Sequence, residues 1–192
     1  MKDVLVYVAT GYEEVEMLTI VDLVRRAGLK ADMVSMTGDR VVVSAHGVSV
    51  QTDAVYDDID VEDYRAYFIP GGMPGAKNLQ EDTRVTRDLK KAYEDGKDVF
   101  AICAGPIVLE AAGLLEGKEG TSFPGFEDDL SLKTYKEDLF VQDGRVHTSR
   151  GPATAMYFAV HMVEVLGGKE RAKALAEELL LDKVVATIKA GK

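Results

Sequence analysis

Short apolar runs alternate with amphipathic helical patterns along the whole chain. Residues 3–9 predict a strand, and residues 13–27 predict a helix whose apolar residues recur at i, i+3, i+4 and i+7. The pattern continues with strands at 30–35, 67–69 and 99–102, a hairpin at 41–50, short strands within 134–149, and helices at 105–112, 83–95, 152–166 and 169–181. This alternation is typical of an α/β fold, with a mostly parallel central sheet and helices on both faces.

Length and composition limit the classes of protein that this chain can belong to. The 192 residues are 46% apolar, which is enough for one domain with a sizeable core. We therefore expect a single domain over residues 1–192, in which residues 183–192 could form a flexible tail. A net charge of −10 disfavours direct binding to nucleic acid, because an acidic chain repels phosphate groups.

The cysteine count and the apolar runs indicate where the protein works. One cysteine permits no internal disulfide, which is typical of a reducing compartment, and we expect a cytoplasmic location. The chain enters its first predicted strand almost at once, so we expect no signal peptide. No run of about 18 apolar residues occurs, so we expect no membrane span.

That single cysteine, Cys103, lies between a predicted buried strand and a predicted helix with Pro106 in its first turn. Such a turn holds a side chain at the carboxyl edge of the sheet, facing the positive end of the helix. That field lowers the pKa of a thiol, and the thiolate is a nucleophile. The alternative is an unreactive apolar cysteine in the core.

Four segments are expected to meet at the carboxyl edge of the sheet, where α/β proteins bind ligands. They are residues 10–16, 70–75, 102–105 and 148–152, and they hold the most chemically distinctive residues of the chain. This convergence favours a catalytic Cys103.

Acidic residues and glycines surround this predicted site. Three glutamates lie at the start of the first helix: Glu13, Glu14 and Glu16. Either their charges only stabilise the helix by interacting with its dipole, or one carboxyl lies beside the thiol and acts as an acid or base. Physical reasoning leaves the choice among the three open. The turn at residues 70–75 is either a tight turn or a source of backbone N–H groups for an oxyanion hole. It lacks the pattern of a phosphate-binding loop.

The cationic residues allow several interpretations. Arg150 could hold an anion, orient the opposite loop or form a salt bridge with Asp22 or a glutamate of the first helix. Arg26 belongs to a solvated helix face or turns toward the pocket. Of the histidines, His147 could approach the site, His46 lies in the hairpin loop, and His161 lies within a helical pattern. No metal-ligand spacing or cofactor signature is present, so we expect neither.

Together these segments resemble the ThiJ/PfpI superfamily, in particular the branch of the parkinsonism-associated deglycase and its bacterial relatives. The matching blocks are residues 11–16, 21–28, 70–76, 101–106 and 148–152, and their order covers nearly the whole chain. The resemblance implies a flavodoxin-like three-layer α/β/α sandwich and a homodimer.

The resemblance also implies roles for single residues. Cys103 would be the nucleophile, Glu16 the carboxyl that contacts its sulfur, and the N–H groups of Gly72 and Ala104 the anion pocket. We include Gly71, Arg26 and Arg150 as substrate-binding residues. One departure is Phe123, which stands where many members carry a histidine. The pair of Cys103 and Glu16 would then work without that histidine, unless His147 or His46 replaces it. Ala104 argues against the peptidase branch, which carries histidine there, and a glutamine amidotransferase triad is also missing.

Two functions follow from this resemblance. The first is a glutathione-independent glyoxalase or deglycase that acts on methylglyoxal, glyoxal or early glycation adducts through Cys103 and Glu16. The second is an oxidative-stress sensor or chaperone, because a reactive cysteine is also an oxidation target and a protonated Glu16 could stabilise a sulfinate.

Overall fold

The computed structural model describes residues 2–191 as one α/β unit. Its strands are β1 (Lys2–Val8), β2 (Ala31–Ser35), β3 (Val41–Val43), β4 (Ser49–Gln51), β5 (Ala54–Val55), β6 (Tyr64–Ile69), β7 (Asp98–Ile102), β8 (Glu119–Gly120), β9 (Thr134–Tyr135), β10 (Phe140–Asp143) and β11 (Val146–Ser149). Its α-helices are α1 (Glu14–Arg26), α2 (Gly75–Glu81), α3 (Thr83–Glu94), α4 (Pro106–Ala111), α5 (Ala155–Gly167), α6 (Lys169–Glu178) and α7 (Leu181–Lys189).

Seven strands form the central sheet in the order β10-β11-β7-β6-β1-β2-β5. All neighbours are parallel except β10 and β11, which pair as an antiparallel hairpin. Strands β3 and β4 form a separate antiparallel hairpin. The parallel order brings the carboxyl ends of β1, β6, β7 and β11 to one edge, and the predicted mostly parallel α/β sheet is confirmed.

The core lies on both faces of this sheet, which makes the three-layer sandwich. Along β1, Val4, Val6 and Val8 pack under α1 and α5, whereas Leu5 and Tyr7 face the layer of α2, α3 and α4. All five are fully buried, because neighbouring side chains of a strand point to opposite faces and both faces are covered here. This is why β1 appears in the sequence as a continuous apolar run.

The structure contains two helices that the sequence analysis did not predict. Helix α2 begins at Gly75, the last residue of the glycine-rich turn. Glycine and proline are typical of turns, so the sequence analysis predicted a turn there and no helix. Helix α7 occupies Leu181–Lys189, where the sequence suggested that a tail would begin at residue 183. Its side chains Val184 and Ile188 are exposed. The apolar residues of α7 therefore do not form a buried face of the kind that predicted the other helices.

None of the helices in residues 2–191 combines the length and apolar character needed to cross a membrane.

A buried polar chain crosses the core between β7, β11 and α5. His147 is fully buried, with Nε2 3.0 Å from Asp98 Oδ1 and Nδ1 3.0 Å from His161 Nε2. The His147 ring stacks on Phe100 at 4.2 Å. Since the carboxylate only accepts hydrogen bonds, His147 donates to it from Nε2, and the second contact joins His147 Nδ1 to His161 Nε2.

Burial, reinforced by the neighbouring His147, lowers the pKa of His161 to about 4. In the unfolded chain a histidine titrates near about 6.5, so below that pH the unfolded chain binds a proton that the folded protein does not. The contribution of His161 to stability is therefore complete above the unfolded pKa and is lost as pH falls toward the folded pKa.

We expect His161→Gln, which keeps an N–H donor for His147, to flatten the acid limb of the stability curve. The free energy of unfolding should fall by about 2 kcal/mol less than in the native protein between about pH 7 and 4, after allowance for the partly exposed ring. Urea unfolding across this range measures the difference. Lys173→Gln, at an exposed cation of α6, should keep the native slope. Equal slopes for native protein and His161→Gln would contradict the prediction.

Candidate active site

Cys103 occupies the sharp turn between β7, which ends at Ile102, and α4, which begins at Pro106. Its φ is +63°, in the left-handed region that costs a non-glycine residue about 1–2 kcal/mol. Two hydrogen bonds hold it there: its N–H donates to Ser149 O at 3.0 Å, and its carbonyl accepts from Phe123 N at 2.9 Å. The predicted position at the carboxyl edge of the sheet is therefore confirmed.

Of the three glutamates at the start of α1, the structure places Glu16 against the thiol. Glu13 caps the helix through Val15 N, and Glu14 contacts His46. Glu16 is fully buried, accepts a hydrogen bond from Gly71 N at 2.9 Å, and interacts with Cys103, so that each group shifts the pKa of the other. Its Oε1 has no hydrogen-bond partner among the described residues, so it can accept a proton or a substrate donor.

Glycines let the turn after β6 approach both groups. A Cβ on Gly71 would lie 2.5 Å from Cys103 Cβ and 2.6 Å from Glu16 Oε2, so a side chain there would displace the pair. Gly72 has φ of +88°, and its added Cβ would lie 2.3 Å from Glu13 N. The N–H groups of Gly72 and Ala104 both face the sulfur of Cys103. They are oriented to stabilise negative charge there or on an oxygen bonded to the attacked carbon.

Burial and mutual repulsion make Cys103 and Glu16 share a proton. Burial raises the pKa of Glu16 to about 7, against the opposing hydrogen bonds from Cys103 and Gly71. Burial, and then the charge of Glu16, raises the pKa of Cys103 to about 12, against the N–H groups of Ala104 and Gly72. The predicted lowering of the thiol pKa is therefore wrong beside an ionised Glu16.

The coupling instead leaves the pair with one proton between its first ionisation, near a pKa of about 7, and its second, near about 12. That proton has two positions. With the proton on sulfur, the thiol is inert. With the proton on Glu16, the sulfur is a thiolate that faces two N–H donors, Gly72 and Ala104, and it can act as a nucleophile. The site thus supports nucleophilic attack combined with proton transfer by a carboxyl group of near-neutral pKa.

The structure does not bring Arg26 to this site. Its Nε lies 2.8 Å from Asp22 Oδ2 and its Nη1 lies 3.1 Å from Glu178 Oε1, so it joins α1 to α6 on the solvated face. Because these carboxylates flank an exposed guanidinium, a role in substrate binding does not follow from the geometry.

Arg150 lies directly after β11, but it forms no salt bridge with Asp22 or a glutamate of α1 within residues 2–191. Its Nη1 contacts Thr121 Oγ1 and Lys136 O, both at 3.4 Å, and its guanidinium lies over the ring of Tyr135 at 5.9 Å. The arginine therefore orients the opposite loop, one of the three roles that the sequence left open.

His147 and Phe123 lie in different surroundings. His147 is held by Asp98 and His161, and neither Cys103 nor Glu16 is among its hydrogen-bond partners. Phe123 borders the site, with its N–H on Cys103 O and its ring against Gly151. The replacement of the missing histidine by His147 is therefore not supported.

His46 lies at the rim of the site, an arrangement that sequence analysis missed. Its Nδ1 is 3.1 Å from both carboxylate oxygens of Glu14 and 3.6 Å from Glu13 Oε2. Side-chain donor atoms of these three residues lie within 4.8 Å of one another, but the direct contact of His46 with Glu14 is that of an ion pair. The docking of a hairpin loop on a helix start leaves no periodic signal in a sequence.

Comparisons with known proteins show the family and the fold of this chain. The family model described as DJ-1/PfpI matches residues 2–165. The zebrafish Parkinson disease protein 7 homolog is 36% identical over 184 residues, covering 94% of this chain and 97% of its own. The structure of oxidized Toxoplasma gondii DJ-1 is 37% identical with a TM-score of 0.88, covering 94% of this chain and 98% of its own.

Other relatives differ in length. Drosophila dj-1beta is 34% identical over 182 residues and is matched over 97% of its length. By contrast, the chain spans less than half of two Arabidopsis relatives, 41% of DJ-1 homolog B and 47% of homolog A.

The shared proton predicts how thiol reactivity depends on pH. Alkylation of Cys103 by iodoacetamide should rise with the first ionisation of the pair, near the pKa of about 7 given by Glu16. In Glu16→Gln the proton must leave a buried thiol without a carboxyl to share it, so the midpoint should move alkaline by about one unit or more, a tenfold slower reaction near neutral pH. Intact mass against time at each pH measures the rate. An unchanged or more acidic midpoint would contradict the coupling.

Proposed function

The chain belongs to the DJ-1/PfpI family, and we propose that it is a glutathione-independent glyoxalase that uses Cys103 and Glu16 on methylglyoxal or glyoxal. One observation supports this most: the fully buried carboxyl of Glu16 interacts with Cys103, and the backbone N–H groups of Gly72 and Ala104 act to lower the pKa of the same thiol. Such a site combines a nucleophile, an oxyanion site and a proton carrier.

The first step is addition to the aldehyde. The thiolate of Cys103 forms a C–S bond to the aldehyde carbon, and the carbonyl electron pair moves onto oxygen. The N–H groups of Gly72 and Ala104 stabilise this oxyanion, which then takes up the proton carried by Glu16 to give a hemithioacetal and leaves Glu16 ionised as the base of the next step.

The second step is proton transfer between adjacent carbons. Glu16 removes the proton from the carbon bearing sulfur and returns one to the neighbouring carbon, which converts the hemithioacetal into the thioester of a 2-hydroxy acid. Water then hydrolyses the thioester, releasing lactate or glycolate and the free thiol of Cys103. A pKa of about 7 suits Glu16 to both giving and taking a proton at neutral pH.

The same attack on an early glycation adduct would be the deglycase form of this activity. The substrates of the site would then be small reactive aldehydes or such adducts. The homodimer implied by the family resemblance and the cytoplasmic location expected from the single cysteine belong to the same proposal. Sedimentation velocity should give twice the chain mass of 20.9 kDa.

A second candidate is a cysteine-based oxidation sensor or stress chaperone. The structural relative from Toxoplasma gondii is described as oxidized. In this chain the buried, unpartnered Oε1 of Glu16 could carry a proton to a sulfinate on Cys103, and no second cysteine exists to resolve a sulfenic acid.

Lactate production from methylglyoxal without glutathione tests the enzyme. The native protein should form lactate, and Cys103→Ser and Glu16→Gln should each lose at least about 100-fold in rate, as expected when a nucleophile or a general acid–base is removed. Arg26→Gln is the matched control and should keep native activity, since Arg26 pairs with Asp22 and Glu178. Lactate from the native protein no faster than from Cys103→Ser would refute the glyoxalase.

Peroxide titration separates the two candidates. Stable addition of two oxygen atoms to Cys103, seen by intact mass, together with absent lactate formation, would favour the sensor. Rapid lactate formation with slow oxidation would favour the enzyme.

A further inference from the structure

The first turn of α1 carries three carboxylates next to a thiol, and His46 is the cation that balances them. Its imidazole Nδ1 lies 3.1 Å from both oxygens of Glu14 and 3.6 Å from Glu13 Oε2. No lysine or arginine within residues 2–191 comes within salt-bridge distance of Glu13, Glu14 or Glu16. The charge state of this one ring therefore changes the local charge around the site.

Backbone hydrogen bonds fix the hairpin of β3 and β4 against the start of α1. Gly11 N donates to Val43 O, and Ala45 N donates to Tyr12 O, both at 2.8 Å. These bonds hold His46 over Glu14, although its side chain is 68% exposed. The backbone around His46 is therefore fixed relative to α1, even though its side chain is exposed to solvent.

The Gly71 peptide connects this rim to the reactive pair. Glu13 N donates to Gly71 O at 2.9 Å, and Gly71 N donates to Glu16 Oε2 at 2.9 Å. The carboxylate of Glu13 also acts on Glu16 through space, since its charge contributes to the raised pKa of Glu16. Because Glu16 is fully buried, water screens this interaction less than it would at the surface.

We propose that His46 is a positioning residue whose positive charge, held against Glu13 and Glu14, favours the first ionisation of the Cys103–Glu16 pair, which leaves the one proton that the two groups share. When His46 is neutral, the two rim carboxylates are unopposed and the pair keeps both of its protons to a higher pH. The inference deepens the proposed function at the same site, but it concerns thiol reactivity and is tested without lactate.

The charge of His46 depends on pH. Glu14, and then Glu13, raise the pKa of His46 above its ordinary value, and the ring loses its positive charge as pH rises through that pKa. The other titratable group facing this cluster is Tyr12. Burial, and then Glu14, raise the pKa of Tyr12 to about 12, so it stays neutral. Reactivity of Cys103 should therefore rise with pH less steeply than for an isolated thiol.

Two substitutions distinguish charge from packing. His46→Gln removes the charge, and His46→Lys makes it permanent across the working range. The alkylation rate of Cys103 by iodoacetamide, followed by intact mass at low salt, should be about two- to threefold lower in His46→Gln than in native protein near pH 6.5. His46→Lys should match the native protein near that pH and exceed it by a similar factor at about pH 8.5. Both differences should shrink in about 0.5 M salt.

Lys173→Gln, which removes an exposed cation from α6, should leave the alkylation profile unchanged, and melting temperatures check that each variant is folded. The proposal is overturned if His46→Lys loses reactivity as His46→Gln does, or if His46→Gln coincides with the native protein at low salt. Native protein that shows these shifts but forms no lactate would refute the glyoxalase while supporting the role of His46.

Discussion

The site depends on the peptide of Gly71, which joins the end of β6 to the start of α1. Its N–H binds the carboxyl of Glu16 and its carbonyl binds the N–H of Glu13. Only glycine fits, because a Cβ would overlap both Cys103 and Glu16. Two groups from distant parts of the chain are thereby held in contact, and their distance is set by backbone rather than by flexible side chains.

Burial of that contact has a chemical consequence. A thiol and a carboxyl in water would ionise independently, whereas here each charge opposes the other and the pair retains one proton through neutral pH. The helix and turn N–H groups that would lower the pKa of an isolated Cys103 instead determine which member of the pair carries the charge. Reactivity is therefore a property of the pair and of the charges around it.

The sequence predicted the parts that follow from local pattern. Alternating elements predicted the sheet, and the strand–cysteine–proline spacing predicted the turn at Cys103, because both depend on periodicity and backbone preference. Glu16 was chosen from three glutamates only through family resemblance, since a helix start does not show which side chain turns inward. Three features could not be predicted, because they depend on contacts between distant segments that composition and spacing do not encode. They are the ion pair of Arg26 with Glu178, the raised pKa of Cys103 and the position of His46 at the rim.

The protein buries ionisable groups at both ends of β7, with opposite results. At its amino end, Asp98, His147 and His161 form a chain in which each facing nitrogen has a partner, so the groups act as structure. At its carboxyl end, Glu16 keeps an unpartnered oxygen and Cys103 keeps a left-handed backbone. Unmet hydrogen-bonding capacity and strain are costs that a purely structural site would remove by substitution. Their presence at only one of these two places is the physical reason to assign chemistry to Cys103 and stability to the histidines.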